Sequence, residues 1–159
     1  MLILLSKKNN WLENLLKANT LKAELLVFLE QLPEAKDILN TYHPIAKANN
    51  FKKIEVRLQL VALSLSNSTG FTPEVEKSIS SLEKSAENWQ DKSEAGSIYN
   101  AIGHSLYVHG KFDKALVSLQ KAYNIFVSLN DSTNLSDTLN SIANLYRELG
   151  DLDKAIEYL

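Results

Sequence analysis

The chain has 159 residues, 45% hydrophobic and 23% charged, enough for one domain with a sizeable core. With 5 Gly and 3 Pro it lacks the turn residues that a β-sandwich or barrel requires, so an all-α chain is expected. Seventeen Lys and Arg against 19 Asp and Glu leave a formal charge of −2, which excludes a chain held to nucleic acid by its overall field, and the absence of Cys excludes disulfides, thiolate zinc sites and a Cys nucleophile and makes the cytoplasm the expected location.

The chain opens on Met1-Leu2-Ile3-Leu4-Leu5 ahead of Lys7 and Lys8, the reverse of a signal peptide's basic-then-apolar order. No apolar run approaches the roughly 20 residues of a membrane span, and no membrane partner is expected. Leu4, Leu5, Trp11, Leu12, Leu15 and Leu16 recur at helical spacing with no matching second helix, so residues 1–18 read as an N-terminal capping helix. A surface helix for membranes or partners is the weaker alternative, because its polar side is Asn-rich and not basic.

A loosely marked hairpin spans Thr20 to Ile45, with Glu34 to Leu39 as its clearest part. Lys47, Lys52, Lys53 and Arg57 form the densest basic stretch; Glu55 interrupts it and no aromatic residues alternate with it for base stacking, so it reads as a solvated helix start. Residues 67–73 are rich in turn formers and end in Thr72-Pro73-Glu74, an N-cap followed by Pro at the first helical position. A helix should begin there. Sequons at Asn67, Asn130 and Asn134 read as plain loops.

The second half repeats itself. Residues 100–119 lie over residues 140–159 with identities at Asn100/Asn140, Ile102/Ile142, Gly110/Gly150, Asp113/Asp153, Lys114/Lys154, Ala115/Ala155 and Leu119/Leu159. Weaker counterparts give anchors at Ala35, Ser78, Ala115 and Ala155, separated by 43, 37 and 40 residues, which predicts loop insertions between helices of constant length, the extra residues falling in 67–73. Tyr99, Ile102, Gly103 and Leu106, then Phe112, Ala115, Leu116, Leu119 and Ala122, have helical period, so each unit is two helices. Gly110 and Gly150 fall between them, where a left-handed backbone reverses the chain. Small residues at Gly103, Ala115, Ala122, Ala143 and Ala155 are expected at close helix contacts, with Tyr146, Leu119, Phe126 and Trp89 filling between units.

These residues resemble the tetratricopeptide repeat family, whose hairpin reads W-x2-L-G-x2-Y and then A-x3-F. Tyr99-x2-Ile102-Gly103-x2-Leu106 with Ala115-x3-Leu119 fits that frame, as does Leu139-x2-Ile142-Ala143-x2-Tyr146 with Ala155-x3-Leu159; Leu58-x2-Val61-Ala62-x2-Leu65 is looser. Val127 stands in place of the family's terminal Pro, and the period is 40 rather than 34, which resembles the extended-repeat subgroup found in peptide-sensing bacterial regulators and kinesin-light-chain-like adaptors. The resemblance implies a right-handed α-solenoid of stacked helical hairpins, about four of them between residues 19 and 159. The last is cut short at Leu159, leaving an apolar edge through which self-association is expected.

Catalytic and metal-binding arrangements are absent from the sequence. The stretch from Gly103 to Lys111 superficially matches a P-loop, but six residues separate its glycines, Phe112 replaces the magnesium-binding hydroxyl, and it lies within a helical pattern. His104 and His109 are five apart and do not share a helix face for one metal; His43 and His109 read as structural or solvated, and His104 as a ligand-contacting residue. Asp151-Leu-Asp153 lacks the remaining ligands of a calcium loop and reads as the negative start of a helix. Asp113, Glu148, Asp151 and Asp153 are ordinary charges of solvated faces. No enzyme activity and no cofactor are expected.

One polar pattern remains. Asn100, His104 and Tyr107 are spaced four and three along one helix face, and Asn140, Asn144 and Arg147 repeat that spacing one unit later. In tetratricopeptide repeats this face lines the concave groove, so the resemblance implies a peptide-binding role for these six positions, where an Asn amide can both donate to and accept from an extended backbone. A solvated stripe in an Asn-rich chain is the alternative. The equivalents in the first half, Gln59 and Leu63, then Thr20 and Glu24, confine such a ladder to the C-terminal half, and the Lys and Asn of a chaperone-type carboxylate clamp are missing. The function expected is a non-catalytic scaffold that binds a protein or peptide; the alternatives are a sensory segment of a larger signalling or transcription-regulatory protein, or a self-associating scaffold.

Overall fold

Helical periodicity runs through nearly the whole sequence, and eight helices follow from it in the computed structural model, which describes the backbone of residues 2–159 and the side chains of residues 9–159. They are α1 (Leu2–Phe28), α2 (Leu32–Ala48), α3 (Lys52–Thr69), α4 (Pro73–Glu87), α5 (Lys92–Val108), α6 (Phe112–Leu129), α7 (Ser132–Glu148) and α8 (Leu152–Glu157). There is no strand among the described residues, and the class is the expected all-α one, built of helical hairpins. The chain forms two compact units, Met1–Ser68 and Thr69–Leu159.

Backbone reversals recur with a fixed interval. Left-handed residues stand at Glu30, Asn50, Gly70, Gly110, Asn130 and Gly150, twenty residues apart with only position 90 omitted. The amide following each of five of them closes the helix end onto the carbonyl five residues back: Gln31 donates to Leu26, Phe51 to Ala46, Lys111 to Leu106, Asp131 to Phe126 and Asp151 to Tyr146, at 2.8–3.0 Å. These are Schellman closures, which need the left-handed residue between helix and closing amide. Gly110 and Gly150 supply it as expected, with φ of 68° and 79°.

The interval of 40 per hairpin therefore extends into the first half, where sequence identity fades. The uneven anchor spacing is corrected accordingly. Ile79, Leu82 and Ala86 are buried where Leu119, Ala122 and Phe126 are buried 40 residues later, so Ser78 is not the counterpart of Ala115. The stretch 67–73 holds no large insertion: from Gly70 to the next helix start at Pro73 it is one residue longer than the turns after Glu30, Gly110 and Gly150. Thr72 caps α4 as anticipated, its Oγ1 accepting from the Val75 amide at 3.4 Å.

In the first unit, Leu16, Ala23 and Leu26 of α1 pack with Ala35, Ile38, Leu39 and Ala46 of α2 and with Ile54, Leu58, Val61 and Leu65 of α3. Arg57 on α3 donates to both carboxylate oxygens of Glu24 on α1, at 2.8 and 2.9 Å. No Gly or Pro interrupts residues 2–28, and α1 runs without a break across the 18/19 boundary expected for a separate leading helix. Leu12 and Leu16 accordingly share one core with Ala23 and Leu26. Met1 and the side chains of Leu4 and Leu5 lie outside the described residues.

The second unit is closest-packed between α5 and α6. A Cβ placed on Gly103 would lie 2.6 Å from Leu119 Cγ, and one on Gly96 would lie 2.7 Å from the Phe126 ring. Leu119 and Phe126 are completely buried, so neither has room to retreat. Ala115, Ala122, Ala143 and Ala155 are buried as expected. Trp89 is only half-buried, and its indole N–H donates to Glu94 Oε2 at 2.6 Å.

Two predictions follow from this packing. Gly103→Ala should lower stability by about 1–2 kcal/mol through overpacking, even though Ala gains up to about 1 kcal/mol of helix propensity over Gly; an unchanged or raised urea midpoint would show that α5 and α6 are not held this closely. The second concerns His43, whose Nε2 is buried on α2 without a hydrogen-bond partner. Burial holds its pKa below the ordinary 6.5, Glu55 pulls it upward and Lys47 lowers it further. Because the folded chain favours neutral imidazole, this contribution to stability is complete above that ordinary value and is lost as pH falls through the lower folded one. Urea midpoints at about pH 7.5 and 5 should therefore differ more for wild type than for His43→Leu, and equal differences would remove His43 as the cause.

Candidate protein-interaction face of α5 and α7

Helices α5 and α7 are the first helices of successive hairpins, and polar bonds between their side chains fix them side by side. Asp131, the N-cap of α7, accepts from the Asn134 amide at 3.2 Å and from Asn134 Nδ2 at 2.7 Å, and it accepts from Ser93 Oγ on α5 at 3.0 Å. These bonds, those of Asn134 foremost, hold its carboxyl below the usual Asp range. Two turns further along, the single hydroxyl proton of Thr138 is shared between the Asn134 carbonyl, at 2.9 Å, and Asn100 Oδ1, at 3.3 Å.

The six residues of the polar stripe divide in consequence. Asn100 is half-buried and bonds α7 through its Oδ1, an inter-helix role that spacing alone did not reveal. Tyr107 is half-buried against Phe112, with ring centroids 5.9 Å apart. His104, Asn140, Asn144 and Arg147 are exposed. Arg147 Nη2 lies 3.7 Å from Glu148 Oε1, a pair open to water on both sides and weak for that reason. Four side chains on neighbouring helices thus face solvent with donors and acceptors available, while Asn100 ties α5 to α7 and Tyr107 packs on the start of α6.

Among the described residues of the first unit the equivalent positions form no such ladder. Gln59 and Leu63 are buried, Thr20 is buried with its hydroxyl donating to the Leu16 carbonyl at 2.8 Å, and Glu24 is engaged by Arg57. His109 meets the edge of Phe71 with centroids 5.1 Å apart, a packing role. Asp151 starts α8 as expected, accepting from the Lys154 amide at 3.2 Å. Among the described residues, no group of three or more His, Cys, Asp or Glu could hold a metal.

Sequence reasoning passed over a shallow recess of about 270 Å³ in the second unit, lined by Phe71, Ile79, Leu106 and Val117. Lys114 Nζ reaches Glu76 Oε1 at 3.2 Å on its wall, and Lys111 Nζ sits 5.6 Å from the centre of the Phe71 ring. Its residues come from α4, α5, α6 and the turn before α4, and no short-range spacing joins them.

Hairpins repeated at a constant interval, with small residues at the contact between paired helices, define a helical-hairpin repeat protein. Residues 94–159 match the family model of the tetratricopeptide repeat, which supports that family. Repeats of this family generally mediate protein–protein interaction and generally act as non-catalytic scaffolds. No curated protein matches the chain. No helix among the described residues is long and apolar enough to cross a membrane.

The α5–α7 bonds yield a direct test. Thr138→Val keeps shape but leaves Asn100 Oδ1 without its donor, and should cost about 1 kcal/mol. An unchanged denaturation midpoint would mean that water replaces the hydroxyl without loss.

Proposed function

We propose that the second unit is a scaffold that holds an extended segment of a partner protein along the face shared by α5 and α7. His104, Tyr107, Asn140, Asn144 and Arg147 contact the segment, and Asn100 contributes its Nδ2 while its Oδ1 keeps α7 in place. The observation that carries this reading is the exposure of His104, Asn140, Asn144 and Arg147 on adjacent helices, inside the residues that match an interaction family. Asn side chains four apart can pair with successive backbone groups of a strand-like peptide whatever its sequence. No catalytic group is needed for this, and the lack of Cys fits a cytoplasmic setting.

A second reading is favoured by the twenty-residue interval between backbone reversals, which gives hairpins of the length of the extended-repeat subgroup. On that reading the chain is the peptide-sensing part of a larger regulatory protein, and the same face binds the signal.

The test is selection of peptides from a random display library on the full chain, followed by titration of a selected peptide. Binding with a dissociation constant on the order of micromolar is expected. Asn140→Ala with Asn144→Ala should weaken it by about 1–3 kcal/mol, because peptide backbone groups lose their partners, while the thermal midpoint stays unchanged. Equal affinity for both forms would move the binding site off this face.

A further inference from the structure

Helix α1 is apolar on two opposite sides. One side carries Leu12, Leu16, Ala23, Leu26 and Val27 into the core of the first unit. On the other, Trp11, Leu21, Leu25 and Phe28 are 65%, 55%, 56% and 81% exposed. A surface helix of a folded domain ordinarily has one apolar stripe and a polar back, so this second stripe is an exception within the chain.

Its spacing is regular. Trp11, Asn14, Ala18, Leu21, Leu25 and Phe28 follow one another at intervals of 3, 4, 3, 4 and 3, the alternation of a heptad seam. Singly exposed apolar residues need no explanation, but a seam about 26 Å long, interrupted by Asn14 alone, does.

We propose that this seam pairs with the same seam of a second copy of the chain, the two α1 helices running antiparallel about a two-fold axis midway between Ala18 and Leu21. The choice of occupant rests on self-complementarity. In that register the smallest seam residue, Ala18, faces Leu21 of the other copy, the two large aromatics, Trp11 and Phe28, face each other at both ends, and the polar Asn14 comes opposite Leu25, where its amide keeps its bond to Asn10. Charges agree as well: Lys17 on one flank comes opposite Glu24 of the other copy, twice by symmetry, whereas parallel pairing would set Lys17 against Lys22. Lys17 already pairs with Glu13, and Glu24 with Arg57, so the contact joins existing pairs into one network. Lys22 can lay its stem over Leu15 while its ammonium stays in water. Isolated helices this short would not form a stable coil, but α1 is held by its own core, so the ordering cost is already met. This seam uses none of the α5–α7 residues and does not depend on their role.

Sedimentation equilibrium of the full chain tests the pairing. A dimer is expected at about 100 µM, consistent with a dissociation constant on the order of 10 µM. Leu21→Glu with Leu25→Glu should raise that constant on the order of 100-fold while circular dichroism and the melting of dilute protein stay unchanged, since both positions are exposed. Lys17→Glu should weaken the dimer about 3- to 10-fold, because two facing pairs become repulsive. A monomer at about 100 µM overturns the proposal, as does a monomer that instead partitions onto phosphatidylglycerol-containing vesicles with a blue shift of tryptophan fluorescence. A dimer that survives the double Glu variant but is lost on Ile156→Lys with Leu159→Lys places the contact on the C-terminal edge and overturns the α1 seam. A dimer tightened by Lys17→Glu is parallel and overturns the register.

Discussion

A backbone reversal after each helix, about every twenty residues, is the constraint from which the rest of this architecture derives. One helix has a stripe to bury and no means of burying it alone, so each must be turned back onto a neighbour within a few residues. The left-handed residue followed by a Schellman closure does this in one step, ending the helix, satisfying its last carbonyls and setting the exit direction. Gly carries that conformation at little cost at 70, 110 and 150, and Asn tolerates it at 50 and 130. Glu30 has φ of 58° without either advantage, and the chain keeps the turn there nonetheless. The geometry of the repeat is thus more uniform than the residues that produce it.

Once the chain is reversed, separation between paired helices is decided by what lies at the contact. Gly96 and Gly103 on α5 admit Phe126 and Leu119 of α6 to distances that no Cβ would allow. That approach sends one side of α5 wholly into the hairpin and leaves another side to be shared with α7. The Ser93–Asp131 and Thr138–Asn100 bonds then align α5 and α7, so the exposed polar residues of the two helices sit in a register set by buried packing. Side chains aligned in this way need little further ordering to meet whatever lies along them.

The parts legible in the sequence were those governed by local chemistry. Gly110, Gly150, the Thr72-Pro73 cap, the Asp151 helix start and the small residues at 103, 115, 122, 143 and 155 each announce themselves through one residue's conformational or steric property. The first half was harder to read because Glu30 and Asn50 make the same turns without glycine, so no identity marks the period, and the uneven anchors at Ala35 and Ser78 suggested insertions that the backbone does not contain. The break expected after residue 18 failed for a related reason: the loose repeat pattern beginning at Thr20 invites a boundary, but no helix-stopping residue is present to make one. The recess at Phe71, Ile79, Leu106 and Val117 was invisible because it depends wholly on tertiary neighbours.

The polar stripe shows why identical positions in a repeat need not have identical roles. Asn100 and Asn140 are the same residue at the same place in successive hairpins, and sequence alone assigns them one function. Asn100 has Thr138 beside it and spends its carbonyl oxygen on holding α7; Asn140 is exposed. An amide with two donor hydrogens and an acceptor oxygen suits both settings, because it can bond a neighbouring helix or stay paired with water. The neighbour, and not the residue type, decides which task is performed. In a repeat protein the residues that knit the stack and those left open to solvent can therefore be drawn from a single stripe.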